Sequence, residues 1–247
     1  RCFFMGIFAK IRRNSYMNQT LLKIIASRED ISDYLFHFTK GSNAFDTLLK
    51  IAKDSQLKDI KNNGVICFTE APITLLKGMF DIFNNYQEPM YAPYGIAIKK
   101  EHLFLLGARP VIYGTIEEKN VFPESLRWRF EEYIPNIKDF TWLREWRLKS
   151  NLLDLTKENC FIITKTKEEY ESVAFSDDCI DDIDFDGCVD DGQFVGTATG
   201  YFERGFKGIS IEDIVEFNKL SKSEVDKMID KQDFNDTVGR NLGGFIW

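Results

Sequence analysis

The 247-residue chain has little histidine (two residues), little proline (six) and no long apolar run. No stretch approaches the roughly 20 residues needed to cross a bilayer. The apolar segment Cys2–Ala9 is followed, not preceded, by Lys10, Arg12 and Arg13, the wrong order for a secretory signal. The cysteines (Cys2, Cys67, Cys160, Cys179, Cys188) are odd in number and show no CxxC or metal-type spacing, so they read as reduced thiols in a cytoplasmic protein with no membrane partner. GxGxxG and GxxxxGK(S/T) are both missing, which removes the usual phosphate-cradling loops. With so few histidines, no Ser-His-Asp or Cys-His set can be assembled.

What is present is an ordinary globular composition, 44% apolar and 14% aromatic, long enough for one large domain or a domain with an extension. Charge is uneven. Residues 1–150 carry 22 Lys+Arg against 17 Asp+Glu, and residues 151–247 carry 10 against 22; the resulting +5 and −12 make the net −7. A basic first part suits an anionic ligand, either a dinucleotide pyrophosphate or a nucleic-acid backbone, and it is equally a solvated surface that happens to be uneven.

Residues 11–28 show helical spacing through Met17, Leu21, Leu22, Ile24 and Ile25, predicting a helical flank over 1–29. Tyr34–Thr39 reads as a strand with Tyr34, Phe36 and Phe38 on one face and His37 with Thr39 on the other. Ser42 is placed to open a helix carrying Phe45, Leu48, Leu49 and Ala52, and Pro72 one carrying Leu76, Met79, Phe80 and Phe83. Val65–Thr69, Tyr94–Ile98, Arg109–Tyr113, Glu145–Lys149 and Cys160–Thr164 read as further strands. The order lacks regular βαβ alternation, so an α+β fold over 30–165 is expected. Residues 166–247 form an acidic extension, expected to pack on that core, with short helices opened by Ser210 and by the capping box Ser221-Lys-Ser-Glu224.

Three segments put a reactive type of side chain inside strand-like sequence. His37 is one; a buried structural histidine is its plain alternative. Arg109 and Tyr113 share a face by the period of two, an arginine fork suited to pyrophosphate beside a phenol suited to stacking, although a core tyrosine is as common. Glu145 would face with Arg147, opposite Trp146 and Leu148, as either a catalytic carboxylate among cations or half of a structural ion pair. Arg127-Trp-Arg129-Phe130 and Arg144-Glu-Trp-Arg147 interleave cations with aromatics, a pattern that grips phosphates and stacks bases, or equally packs tryptophans under arginine stems.

Phe36-His37-Phe-Thr39, Cys67-Phe-Thr69-Glu70-Ala-Pro72, Tyr94-Gly-Ile-Ala-Ile-Lys99, Arg109-Pro-Val-Ile-Tyr113 and Arg144-Glu145-Trp-Arg147 together resemble the AbiGi-type abortive-infection and phage-defence proteins. Those in turn resemble divergent ADP-ribosyltransferases with a His-Tyr-Glu triad. The resemblance covers roughly residues 30–165. It implies a split, mostly antiparallel sheet with NAD, as substrate, in the cleft between its halves. His37 would hold a ribose, with Thr39 beside it; Tyr113 would stack on nicotinamide, a role for which Tyr91 and Tyr94 also qualify. Glu145 would stabilise the oxocarbenium ion, and Thr39, Thr69 and Arg109 would bind the cofactor; Phe68-Thr69-Glu70 stands where many of the better-known transferases carry a serine-rich strand, so Thr69 and Glu70 could join the site or replace part of it. It implies a toxin or defence effector that transfers ADP-ribose to a macromolecule, nucleic acid (RNA or DNA) ahead of protein, with an antitoxin as a possible partner. The enzyme reading requires His37 and Glu145 to converge on one cleft. If they do not, the competing reading is a non-catalytic antitoxin-like or regulatory binding module.

Residues 177–191 hold eight aspartates. Asp182, Asp184 and Asp186 followed by Gly187 imitate the start of a calcium loop, but the closing position is Gln193 and not glutamate, so no metal site is expected. An acidic solvated loop, or a strand with one wet face, is the reading that fits.

Overall fold

A computed structural model describes residues 27–28, 30–174, 180–190, 193–203, 205–213 and 237–246. The first part runs β1 (Tyr34–Phe38), α1 (Ala44–Asp54), β2 (Gln56–Lys58), β3 (Ile66–Thr69), α2 (Ile73–Phe83), β4 (Gly95–Lys99) and α3 (Lys100–Leu105). It continues with β5 (Arg109–Pro110), β6 (Ile112–Gly114), α4 (Ile116–Val121), β7 (Phe130–Glu132), β8 (Glu145–Leu148), β9 (Leu152–Asp154), β10 (Cys160–Thr164) and α5 (Lys167–Ala174). Last come β11 (Ile180–Asp190), β12 (Gln193–Glu203), β13 (Lys207–Ser210) and β14 (Thr237–Ile246). The architecture is α+β, built on a seven-stranded sheet in the order β13-β10-β4-β1-β3-β8-β5, antiparallel except for the β10–β13 pair.

Both faces of this sheet are covered because its central strands are apolar on both sides. On the back, Leu35, Phe68, Ile96, Ile98, Leu148 and Ile162 pack with Leu48 of α1, Leu103 of α3 and Leu153 of β9. On the front, Phe36, Phe38, Ala97, Phe161 and Ile163 pack with Ile73, Leu76 and Phe80 of α2. The Phe38 and Phe80 rings meet edge to face at 4.9 Å. Each such fully buried side chain contributes about 1.5–3 kcal/mol.

Several expectations meet the structure with small shifts. Both early helices form, α1 behind Asn43 and not Ser42, and α2 directly after Pro72. Arg109–Tyr113 is not one strand. β5 ends at Pro110, although the Val111 N–H still donates to the Glu145 carbonyl at 2.8 Å, and β6 leaves to pair in parallel with β7 in a separate two-stranded sheet. The main sheet also reaches beyond residue 165, since β13 extends it next to β10. Ser210 ends β13 and accepts from the Asp213 N–H at 3.3 Å, opening the expected helix. Within the Asp-rich segment, residues 180–190 form strand β11, paired with β12, so of the two readings of these residues it is the strand and not the loop that is found, and there is no EF-hand turn among them. The helices expected over 11–28 and after Ser221 lie outside the described residues, residues 27 and 28 aside. Among the described residues no helix is long and apolar enough to cross a membrane.

Candidate functional site

The decisive local feature is Cys67. It sits in the middle of β3, with β1 on one side and β8 on the other, yet it is exposed. A side chain at such a position is normally covered, so its exposure marks an opening in the front layer beside α2. The sheet itself parts there. β1 and β3 share a single ladder pair, Phe36↔Thr69, and separate beyond it. Gly95 on β4 makes room for β1, because a Cβ at Gly95 would lie 2.3 Å from the His37 carbonyl oxygen and 2.8 Å from the Phe38 ring.

Glu145 and Arg147 share this front face. Thr69 pairs with Glu145 and Cys67 with Arg147, which brings the thiol against the carboxylate. Arg147 donates from Nε to Glu145 at 2.8 Å and from Nη2 to Glu131 at 2.6 Å. Its Nη1 serves the Trp128 and Phe130 carbonyls, at 3.1 Å each. Trp146 and Leu148 face the back core, as the alternation predicts. Tyr113 reaches the site from β6, its hydroxyl donating to the Phe140 carbonyl at 3.0 Å. Tyr91 approaches from the α2 side, edge to face with Trp142 at 6.3 Å.

Partial burial at the floor of this trough, together with the negative charge of Glu145, pushes the Cys67 thiol up to about 12. The same two causes, in the same order, push the Tyr91 and Tyr113 phenols up to about 12. Thiol and phenols are therefore protonated at neutral pH and are not nucleophiles. Burial opposes the Arg147 charge, but Glu145 and Glu131 outweigh it and raise the guanidinium further.

His37 is elsewhere. Its ring lies on the back face, 6.0 Å from the Phe68 ring, and Nδ1 is 2.8 Å from the Cys67 carbonyl oxygen. The reason is register: Phe36 pairs with Thr69 and Thr69 with Glu145, so these three share the front, and the next residue, His37, must point away. Burial lowers the His37 pKa, only partly opposed by the bond to Cys67, so the ring is neutral. The expected His-Tyr-Glu triad does not converge; only its tyrosine and glutamate meet.

The residues expected to bind the cofactor are engaged in structure. Thr39 is buried and donates to the Ala44 and Tyr94 carbonyls at 2.9 Å each. Thr69 is buried, bonds the Leu143 carbonyl and accepts from the Ala71 N–H. Arg109 stacks on the Phe104 ring at 4.1 Å and donates to the Phe104 and Ala108 carbonyls. Glu70 is on the back, held by Trp146 and Lys100. Arg127 and Arg129 donate to the carbonyls of Phe122, Asn120 and Pro110, and Arg144 to Asp30, so the cation–aromatic segments act as clamps within the chain.

No family model, curated protein or solved structure matches the chain. The arrangement therefore rests on its own chemistry: a largely shielded carboxylate ion-paired to Arg147, beside an exposed thiol and near two protonated phenols. Such a site suits a ligand with a polar, partly cationic centre and a flat ring. Among the described residues no group of three His, Cys, Asp or Glu is placed to hold a metal ion. Sequence reasoning missed Glu131, which reaches the site only because β7 pairs with β6 opposite Tyr113. Cys67 had a signal, a small polarisable residue between two apolar ones in a central strand. That pattern does not distinguish an exposed thiol from a buried one.

Proposed function

We infer that the front trough binds NAD and that Glu145 promotes cleavage of its nicotinamide glycosidic bond, for ADP-ribosyl transfer by a site of one carboxylate and two tyrosines. The observation that carries this reading is Glu145 beside an exposed strand position, between the phenols of Tyr91 and Tyr113. It is supported by the resemblance of the Arg144-Glu145-Trp-Arg147 and Cys67-Phe-Thr69 segments to the AbiGi-type proteins and, through them, to ADP-ribosyltransferases of phage defence. Because His37 and Glu145 do not converge, the triad mechanism expected from the sequence fails, and this narrower reading rests on Glu145 and the two tyrosines without His37.

In this reaction the bond between the ribose anomeric carbon and the pyridinium nitrogen breaks, and its electron pair leaves with neutral nicotinamide. Positive charge develops on the ribose, where a preorganised anion is most useful. A nucleophile on the acceptor then forms the new bond and loses its proton to solvent. Tyr91 and Tyr113, protonated, offer ring faces to the nicotinamide, with the Tyr113 hydroxyl anchored on the Phe140 carbonyl. With Arg127, Arg129 and Arg144 bonded inside the chain, the preference for a nucleic-acid acceptor over protein loses its main support.

The test is nicotinamide release from NAD. Wild-type protein is expected to release it, and folded Glu145→Gln to be slower by about 100- to 1,000-fold. Equal release by the two would remove Glu145 from the chemistry. A second reading, a binding module without turnover, draws on the absence of His37 from the trough and the Glu145–Arg147 ion pair; saturable NAD binding with no release by the wild type would establish it.

A further inference from the structure

Arg147 is the joint between two parts of the molecule. Its Nε holds Glu145, which belongs to the main sheet. Its other end belongs to the excursion that leaves the sheet after Pro110 and returns before Glu145: Nη2 to Glu131, Nη1 to the Trp128 and Phe130 carbonyls. A guanidinium is planar and rigid, so fixing the Nη end fixes the direction of Nε. Glu131 is the only charged partner at that end among the described residues, and it is itself anchored by Lys138 at 3.2 Å, which also bridges to Glu132. The same excursion carries Tyr113, opposite Glu131 in the β6–β7 pair.

We propose that Glu131 is a positioning residue, which acts through the Arg147 fork to aim the Glu145 carboxylate into the trough and to lock the Tyr113-bearing excursion against the sheet. This rests on the reading of the trough as an NAD site. Without the Glu131 carboxylate, Arg147 keeps only two neutral carbonyls at its far end, both on Nη1, and its plane is held less firmly with Glu145 attached. A displacement of about 1 Å at a reacting centre can cost on the order of 100-fold in rate. Glu131 touches neither substrate nor reacting atoms; its whole effect passes through Arg147.

The experiment compares Glu131→Ala and Glu131→Gln with wild type by two readouts on folded protein. In nicotinamide release, Glu131→Ala is expected to lose about 10- to 100-fold in kcat with KM changed by less than about threefold. Glu131→Gln, which keeps an acceptor for Nη2, should recover at least half of that loss on a logarithmic scale, a rescue that a merely weakened fold would not produce. The second readout is alkylation of Cys67 by iodoacetamide at about pH 8.5, followed by peptide mass spectrometry. Because the thiol lies against Glu145, releasing that carboxylate should speed alkylation by about threefold or more. Wild-type rates in both readouts for Glu131→Ala would overturn the proposal, and if that variant does not fold, Glu131→Gln decides by the alkylation rate. Absence of nicotinamide release by wild-type protein would end the NAD reading, and the alkylation arm would then judge the positioning by itself.

Discussion

Replacing Arg147 by alanine should be among the most damaging single changes in this chain, for a reason that can be worked through. The Arg147 side chain is 14% exposed, and its partners Glu145 and Glu131 are 13% and 24% exposed, so the cluster is largely shielded from water. Removing the guanidinium leaves Glu145 without a counter-charge, Glu131 with Lys138 alone, and two carbonyls, of Trp128 and Phe130, without their donor. Breaking a buried ion pair from one side costs about 3–5 kcal/mol, about a fifth or more of a typical stability of about 5–15 kcal/mol. At roughly 2–4 °C per kcal/mol for a domain of this size, the melting midpoint should fall by about 6–20 °C. Urea unfolding at pH 7 measures the loss directly.

Two controls sharpen the result. Arg147→Met combined with Glu145→Gln and Glu131→Gln should recover most of the stability, since no uncompensated charge remains. The pH dependence has a definite sign. Burial disfavours the charged form of Glu131, but the bonds from Arg147 and Lys138 outweigh it and hold the carboxyl below its usual range. Its contribution is therefore present above the unfolded value of about 4.3 and disappears as pH falls through the lower folded value. The gap between Arg147→Ala and wild type should be full at neutral pH and shrink below about pH 4. A variant within about 0.5 kcal/mol of wild type at pH 7, or a gap that widens on acidification, would refute the reasoning.

Two further outcomes follow from the parting of β1 and β3. Gly95→Ala would force a Cβ to within 2.3 Å of the His37 carbonyl oxygen, a backbone contact that only a shift of β1 can relieve, and should cost about 1–3 kcal/mol in thermal or urea unfolding; an unchanged midpoint would show that β1 has slack there. His37, whose pKa burial lowers from 6.5, binds its proton more readily in the unfolded chain, so stability is complete above about 6.5 and falls as pH drops below it. An asparagine side chain keeps a donor for the Cys67 carbonyl and does not titrate, so His37→Asn should flatten the stability profile between about pH 6.5 and 5 while sparing nicotinamide release. Loss of release in that folded variant would return His37 to the mechanism.

The elements were legible where their signals were local. Apolar spacing placed α1 and α2 within two residues, and alternation placed Glu145 with Arg147 against Trp146 before any partner strand was known. Pro110 was visible too, but the parting of Arg109–Tyr113 was not, because which strand each half pairs with, β8 or β7, is a non-local choice. The clamping roles of Arg109, Arg127 and Arg129 were equally hidden. A guanidinium free to bind phosphate and one bonded to its own chain's carbonyls look the same in sequence.

The separation of His37 from Glu145 shows where the boundary falls. Within one strand, the side to which each residue points follows from counting by twos, a covalent property of the extended chain. Between strands the phase is set by which residues pair, and one step of register exchanges the faces. The sequence alone determined that His37 opposes Phe36 and that Glu145 accompanies Arg147. Only the tertiary pairings, Phe36 with Thr69 and Thr69 with Glu145, decided that the histidine and the glutamate lie on opposite sides of the sheet. The same non-local packing left Cys67 exposed, brought Tyr91 and Tyr113 to the carboxylate, and carried Glu131 to the far end of Arg147.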